Sequence, residues 1–88
     1  ASLRHILELD PDSVKLDITM IRGIDTEQAR QALVSGVCHF ASRTGTTLIA
    51  EGVETQAEAE TLRELGVELA QGFLFGRPVP IDELLPPR

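Results

Sequence analysis

At 88 residues the chain can form one small domain, which buries only about 60 to 65% of the surface its unfolded form exposes. A composition of 42% hydrophobic and 25% charged residues is too apolar for disorder, and no apolar run is long enough to cross a membrane. A net charge of -6 with scattered Lys and Arg argues against a general DNA or RNA binder, and the single Cys38 excludes an intrachain disulfide and any Cys-based zinc site.

Ser2 to Leu9 reads as one or two helical turns with Leu3, Ile6 and Leu7 on one face, ended by Asp10-Pro11-Asp12-Ser13. A first strand is predicted over about Ser13 to Ile18, where Val14, Leu16 and Ile18 alternate with Lys15 and Asp17. Asp25, with Gln28 three positions on, can cap a helix whose apolar stripe is Ala29, Ala32, Leu33, Gly36, Val37, Phe40 and Ala41, and which Gly45 ends. Cys38 falls in this helix and reads as a small buried hydrophobe.

Thr47 to Ala50 forms a second strand running into Glu51-Gly52-Val53-Glu54. Thr55 with Glu58 makes a capping box for a helix that buries Leu62 and Leu65 and closes at Gly66. A third strand, Val67 to about Ala70, reaches Gln71-Gly72, and Pro78 and Pro80 hold an extended loop before a last turn at Ile81 to Leu85. The pattern is βαβαβ, which favours an α/β fold of alternating βα units with parallel strands.

Several of these strands stop on polar side chains, as they do where βα-repeat enzymes place catalytic groups. Lys15 and Asp17 share one strand face, so they suit either a structural ion pair or a Lys that stabilises negative charge on a phosphate or orients water. Glu51 could ligate a metal, take a proton from water, or help cap the next helix, and Gly52 removes a side chain that would crowd a ligand. Glu54 sits where a helix start favours negative charge in any case. Gln71 can fix a ligand or carboxylate by hydrogen bonding, and Arg77 suits a phosphate contact or a solvated loop. His39 and His5 have no partners at metal spacing. An acidic domain can still handle a phosphate ester if metal ions neutralise the charge between them.

Lys15-Leu16-Asp17, Ala50-Glu51-Gly52-Val53-Glu54-Thr55 and Gln71-Gly72-Phe73-Leu74-Phe75-Gly76-Arg77-Pro78, in this order, resemble the last part of the bacterial EAL domain, the cyclic di-GMP phosphodiesterase. The resemblance runs from about Ser2 to Val79 and covers less than half of that domain. It implies the last three strands and helices of a (β/α)8-type barrel, with residues 1–88 as a single partial domain. It also implies an enzyme that hydrolyses cyclic di-GMP to the linear dinucleotide with two Mg or Mn ions, while the lone Cys38 points to a cytoplasmic protein. By the same resemblance Glu51 is the general base, and Lys15 contacts the attacking water or substrate phosphate. Gln71 orders the metal and water network, Asp17 acts near Lys15, and Glu54 shapes the loop over the site.

Met20 departs from the family, which usually has an aromatic residue there. The Glu-Ala-Leu strand, the Asn and Glu metal ligands and the Asp-Asp pair of the family fall before Ala1. The chain alone is therefore expected to be inactive and to associate with itself through open barrel edges. Two other classes of function stay open: a non-catalytic interaction or dimerisation module, and a degenerate receptor for the dinucleotide.

Overall fold

The computed structural model describes residues 7–9, 13–71 and 77–87. Among them run β1 (Leu7–Leu9), β2 (Ser13–Leu16), the short helix α1 (Ile18–Ile21), α2 (Gln28–Thr44), β3 (Thr47–Glu51), α3 (Gln56–Leu65), β4 (Leu69–Gln71), β5 (Val79–Pro80) and a closing 3-10 turn (Ile81–Leu84). The strands form one sheet in the order β1-β2-β3-β4-β5. Its centre is parallel: Leu16 pairs with Ala50, and Ala50 with Ala70. Both flanks are antiparallel, β1 on β2 and β5 on β4.

The parallel centre and its two long helices agree with the βαβαβ reading, and the flanks correct it. Leu7–Leu9 is a strand where helical spacing predicted a turn of helix, because pairing with β2 satisfies its backbone. The first central strand ends at Leu16, since Asp17 leaves it to cap α1. β4 begins at Leu69, two residues later than expected, and the Pro78–Pro80 loop contains the small edge strand β5. Pro80 is tolerated there because an edge strand does not need every N–H. The expected features at Ser2 to Ile6, Asp10 to Asp12 and 72–76 lie outside the described residues.

Alternation along the strands sorts side chains onto two faces. Val14, Leu16, Leu48, Ala50 and Ala70 are buried in one core with Val34, Val37 and Ala41 of α2 and Ala59 and Leu62 of α3. Lys15, Ile49, Glu51, Leu69 and Gln71 occupy the intervening positions and so face the other way. Ile49 is itself buried yet stands outside the helix-side core cluster. On α2 the buried line is Val34, Val37 and Ala41, so the predicted stripe is rotated, leaving Leu33 and Phe40 exposed. Glu27, with no capping side chain, starts α2, in place of the expected Asp25 cap.

Local chemistry sets the ends of the helices. Thr55 and Glu58 form the reciprocal capping box of α3, a motif whose cap contributes about 0.5–2 kcal/mol. Gly45 and Gly66 end α2 and α3 in left-handed conformations, at φ of 68° and 109°.

Candidate functional site

β2 and β3 run side by side, and their C-terminal halves carry Lys15 and Glu51 on the same face of the sheet. Lys15 Nζ lies 3.9 Å from Glu51 Oε1, and each side chain is about one-third exposed (33% and 32%). That exposure leaves both groups open to a ligand and the ion pair loose enough to be divided by one. Gln71 is the register partner of Glu51 on β4, and its Oε1 is buried without a hydrogen-bond partner among the described residues. A buried carbonyl oxygen in that condition is an acceptor to spare. Gly52 N–H donates to the Gln71 carbonyl at 2.8 Å, which joins the chain just after Glu51 to the end of β4.

Asp17 does not serve as the counter-charge of Lys15 that strand alternation predicted. Its backbone leaves the strand, and its carboxylate accepts from both the hydroxyl and the amide N–H of Thr19. The Thr19 hydroxyl and then its amide hold the Asp17 carboxyl below its ordinary value of 3.8, so it is ionised at neutral pH. Glu54 lies beyond the end of β3, where it pairs with Arg22 at 2.7 Å. Arg77 is exposed two residues before Val79, the partner of Ala70, so its backbone lies towards the Gln71 end of β4. The structure thus gathers Lys15, Glu51 and Gln71 on one sheet face, with Asp17, Glu54 and Arg77 on the connections around it.

Two residues absent from the sequence-based site hold these connections. Arg22 receives Glu54, and its carbonyl accepts from the Arg30 guanidinium. Glu58, only 4% exposed, accepts from the backbone N–H groups of Gly23, Glu54 and Thr55. Burial pushes the Glu58 carboxyl up, but the three amides and the nearby Arg22 charge outweigh it, and its pKa is lowered overall. The capping box made Glu58 legible as a helix cap. Its reach to Gly23, 35 positions earlier, has no local signal, and neither has Arg22.

Among the described residues no three His, Cys, Asp or Glu side chains gather as a metal site. A pair of divalent ions therefore does not fit on these residues alone.

The EAL domain family model matches residues 1–78. The chain belongs to the EAL domain family. It is 36% identical over 85 residues to the cyclic di-GMP phosphodiesterase RocR of Pseudomonas aeruginosa, covering 97% of this chain and 22% of that protein. It is 35% identical to the bifunctional diguanylate cyclase/cyclic di-GMP phosphodiesterase MucR of the same organism, of which it covers 12%. Among solved structures, the manganese and cyclic di-GMP complex of Klebsiella pneumoniae BlrP1 at pH 6 superposes with a TM-score of 0.72 at 40% identity, over 83% of this chain and 19% of that one. A standalone EAL protein of Vibrio cholerae bound to cyclic di-GMP gives 0.65 at 38% identity, over 82% and 30%. The chain spans less than a third of the length of each of these relatives. The likeness bears out the reading of parallel βα units of an EAL-type barrel, and neighbours of this family have been solved with manganese or calcium. No helix among the described residues is long and apolar enough to cross a membrane.

Proposed function

We propose that residues 1–88, a single partial domain, form the lysine and glutamate wall of a cyclic di-GMP phosphodiesterase site. The observation that carries this reading is the Lys15–Glu51 pair, 3.9 Å apart and open at the ends of adjacent parallel strands, in a chain of the EAL family. In this reading Glu51 accepts a proton from the attacking water as its oxygen bonds to phosphorus, the P–O bond to the leaving sugar breaks, and the sugar oxygen takes up a proton from solvent. Lys15 stabilises the negative charge on the phosphate from its place beside the carboxylate. Gln71 presents its spare oxygen to the water network, Asp17 and Glu54 shape the two ends of the site, and Arg77 meets a phosphate.

Two divalent ions, Mg or Mn, belong to the complete domain. The described residues do not assemble a site for them. The chain alone is accordingly inactive. The direct experiment follows cyclic di-GMP hydrolysis to the linear dinucleotide by the full-length protein, wild type against Glu51→Gln. Residues 1–88 with Mg or Mn form a parallel assay, and a rate above that of their own Glu51→Gln control would overturn the inactivity.

A second reading, self-association of the piece without catalysis, is favoured by the exposed Leu33 and Phe40 on α2. A stable dimer by light scattering with no binding of cyclic di-GMP supports this reading. Binding lost in Lys15→Ala or Arg77→Ala supports a ligand surface, cleaving or merely receiving.

A further inference from the structure

We infer that Glu58 is a positioning residue for the candidate site, a carboxylate latch that holds the segment following Glu51 against the turn following α1. The role of the latch in turnover rests on the hydrolytic reading above; the latch itself does not.

The capping box of α3 needs one acceptor from Glu58, and Oε1 supplies it by taking the N–H groups of Glu54 and Thr55 at 2.9 and 3.1 Å. Oε2 is not required for that cap. It takes the N–H of Gly23 at 2.9 Å, from the connection that follows β2 and α1. The two oxygens are therefore divided between the connection that leaves Glu51 and the connection that leaves the strand of Lys15. Glu58 is the only buried charged side chain among the described residues, and all three amides that satisfy it belong to these two connections.

The division distinguishes Glu from Gln. An amide could keep the helix cap with its oxygen, but its NH2 group would then face the Gly23 N–H, donor against donor. A residue present only to start α3 would work equally well as Gln. The Arg22–Glu54 pair spans the same gap, but its side chains are 56% and 40% exposed, and a pair so solvated holds little. The buried carboxylate is the stronger tie, and losing it would let the connection from Gly52 to Thr55 drift from the turn that follows α1.

The test compares Glu58→Gln with Thr55→Ala in the full-length protein. Thr55→Ala removes the other half of the capping box and leaves the Gly23 contact in place. Peptide-level hydrogen exchange is expected to rise over residues 22–26 in Glu58→Gln and to stay at the wild-type level there in Thr55→Ala. Because small misplacements of reacting groups are costly, kcat for cyclic di-GMP should fall about tenfold in Glu58→Gln with KM nearly unchanged. Thr55→Ala should also lower the melting temperature while keeping most of kcat. Unchanged exchange at 22–26 in Glu58→Gln would overturn the latch. Losses of kcat that simply follow melting temperature in both variants would overturn its positioning role. If the wild-type protein does not cleave cyclic di-GMP, the hydrolytic reading fails, and the exchange measurement still decides the latch.

Discussion

Gly52 lies directly against Ile18, so closely that a β-carbon at position 52 would overlap the Ile18 side chain. Its φ of 73° is also in the left-handed region. Gly45 has a similar φ of 68° but open space around it. Gly52→Ala should therefore cost clearly more than Gly45→Ala, for which the left-handed backbone alone predicts about 1–2 kcal/mol. Overpacking adds about 1–3 kcal/mol at position 52. Urea denaturation of the two variants checks the order, and equal losses would mean that Ile18 moves aside freely.

Lys15 and Glu51 are expected to fail differently when substituted. Glu51→Gln keeps the side-chain shape and should lower the hydrolysis rate by about 10²–10⁴-fold, the usual worth of a general base, while cyclic di-GMP still binds. Lys15→Met should weaken binding as well, because a cation facing a phosphate acts in the bound ground state too. Kinetics with parallel calorimetric titration separates the two effects.

Acid should loosen the tie between the two connections. The pKa of Glu58 in the folded protein lies below its ordinary value of 4.5, so its contribution to stability is complete above that value and is lost as pH falls through the lower folded-state value. In Glu58→Gln this part of the acid dependence should vanish. Denaturation midpoints between neutral pH and pH 3, for wild type and variant, give the comparison.

The two faces of α2 and α3 predict a contrast in the core. Leu62 is fully buried, and Leu62→Ala should cost about 2–5 kcal/mol. Phe40 is 51% exposed, and Phe40→Ala should change stability by no more than about 0.5 kcal/mol in the monomer. A larger, concentration-dependent effect at Phe40 would reveal an associated state.

The parts of this structure that were legible in the sequence are those decided within one turn of chain. Thr55 and Glu58 announce the start of α3, and Gly45 and Gly66 announce the ends of α2 and α3, because each acts on amides or carbonyls a few residues away. Lys15, Glu51 and Gln71 could be singled out because charged or amide side chains interrupt apolar strands. Their actual pairing was less visible. Lys15 meets Glu51 across two strands, while Asp17, two positions away and so the obvious partner, turns aside to cap α1. Leu7–Leu9 has spacing compatible with a helix, and only its antiparallel pairing with Val14–Leu16, the next strand in the chain, makes it a strand. Leu33 and Phe40 joined the predicted stripe because periodicity fixes a direction around a helix only to within about one residue, about 100°, and packing by Val34 settled it.

The alternation that sends Leu48 and Ala50 to the helices and Ile49 and Glu51 to the opposite side ties the position of Glu51 to that of the core residues. A one-residue insertion in β3 ahead of Glu51 would exchange the two sets, putting the carboxylate among the packed helices and Ala50 on the face where Glu51 stood. Glu51 can thus be relocated along its strand only in steps of two, about 7 Å at a time. Smaller changes in the surroundings of Lys15 and Glu51 fall to the connections beyond the strand ends, since the strand itself admits no fine adjustment.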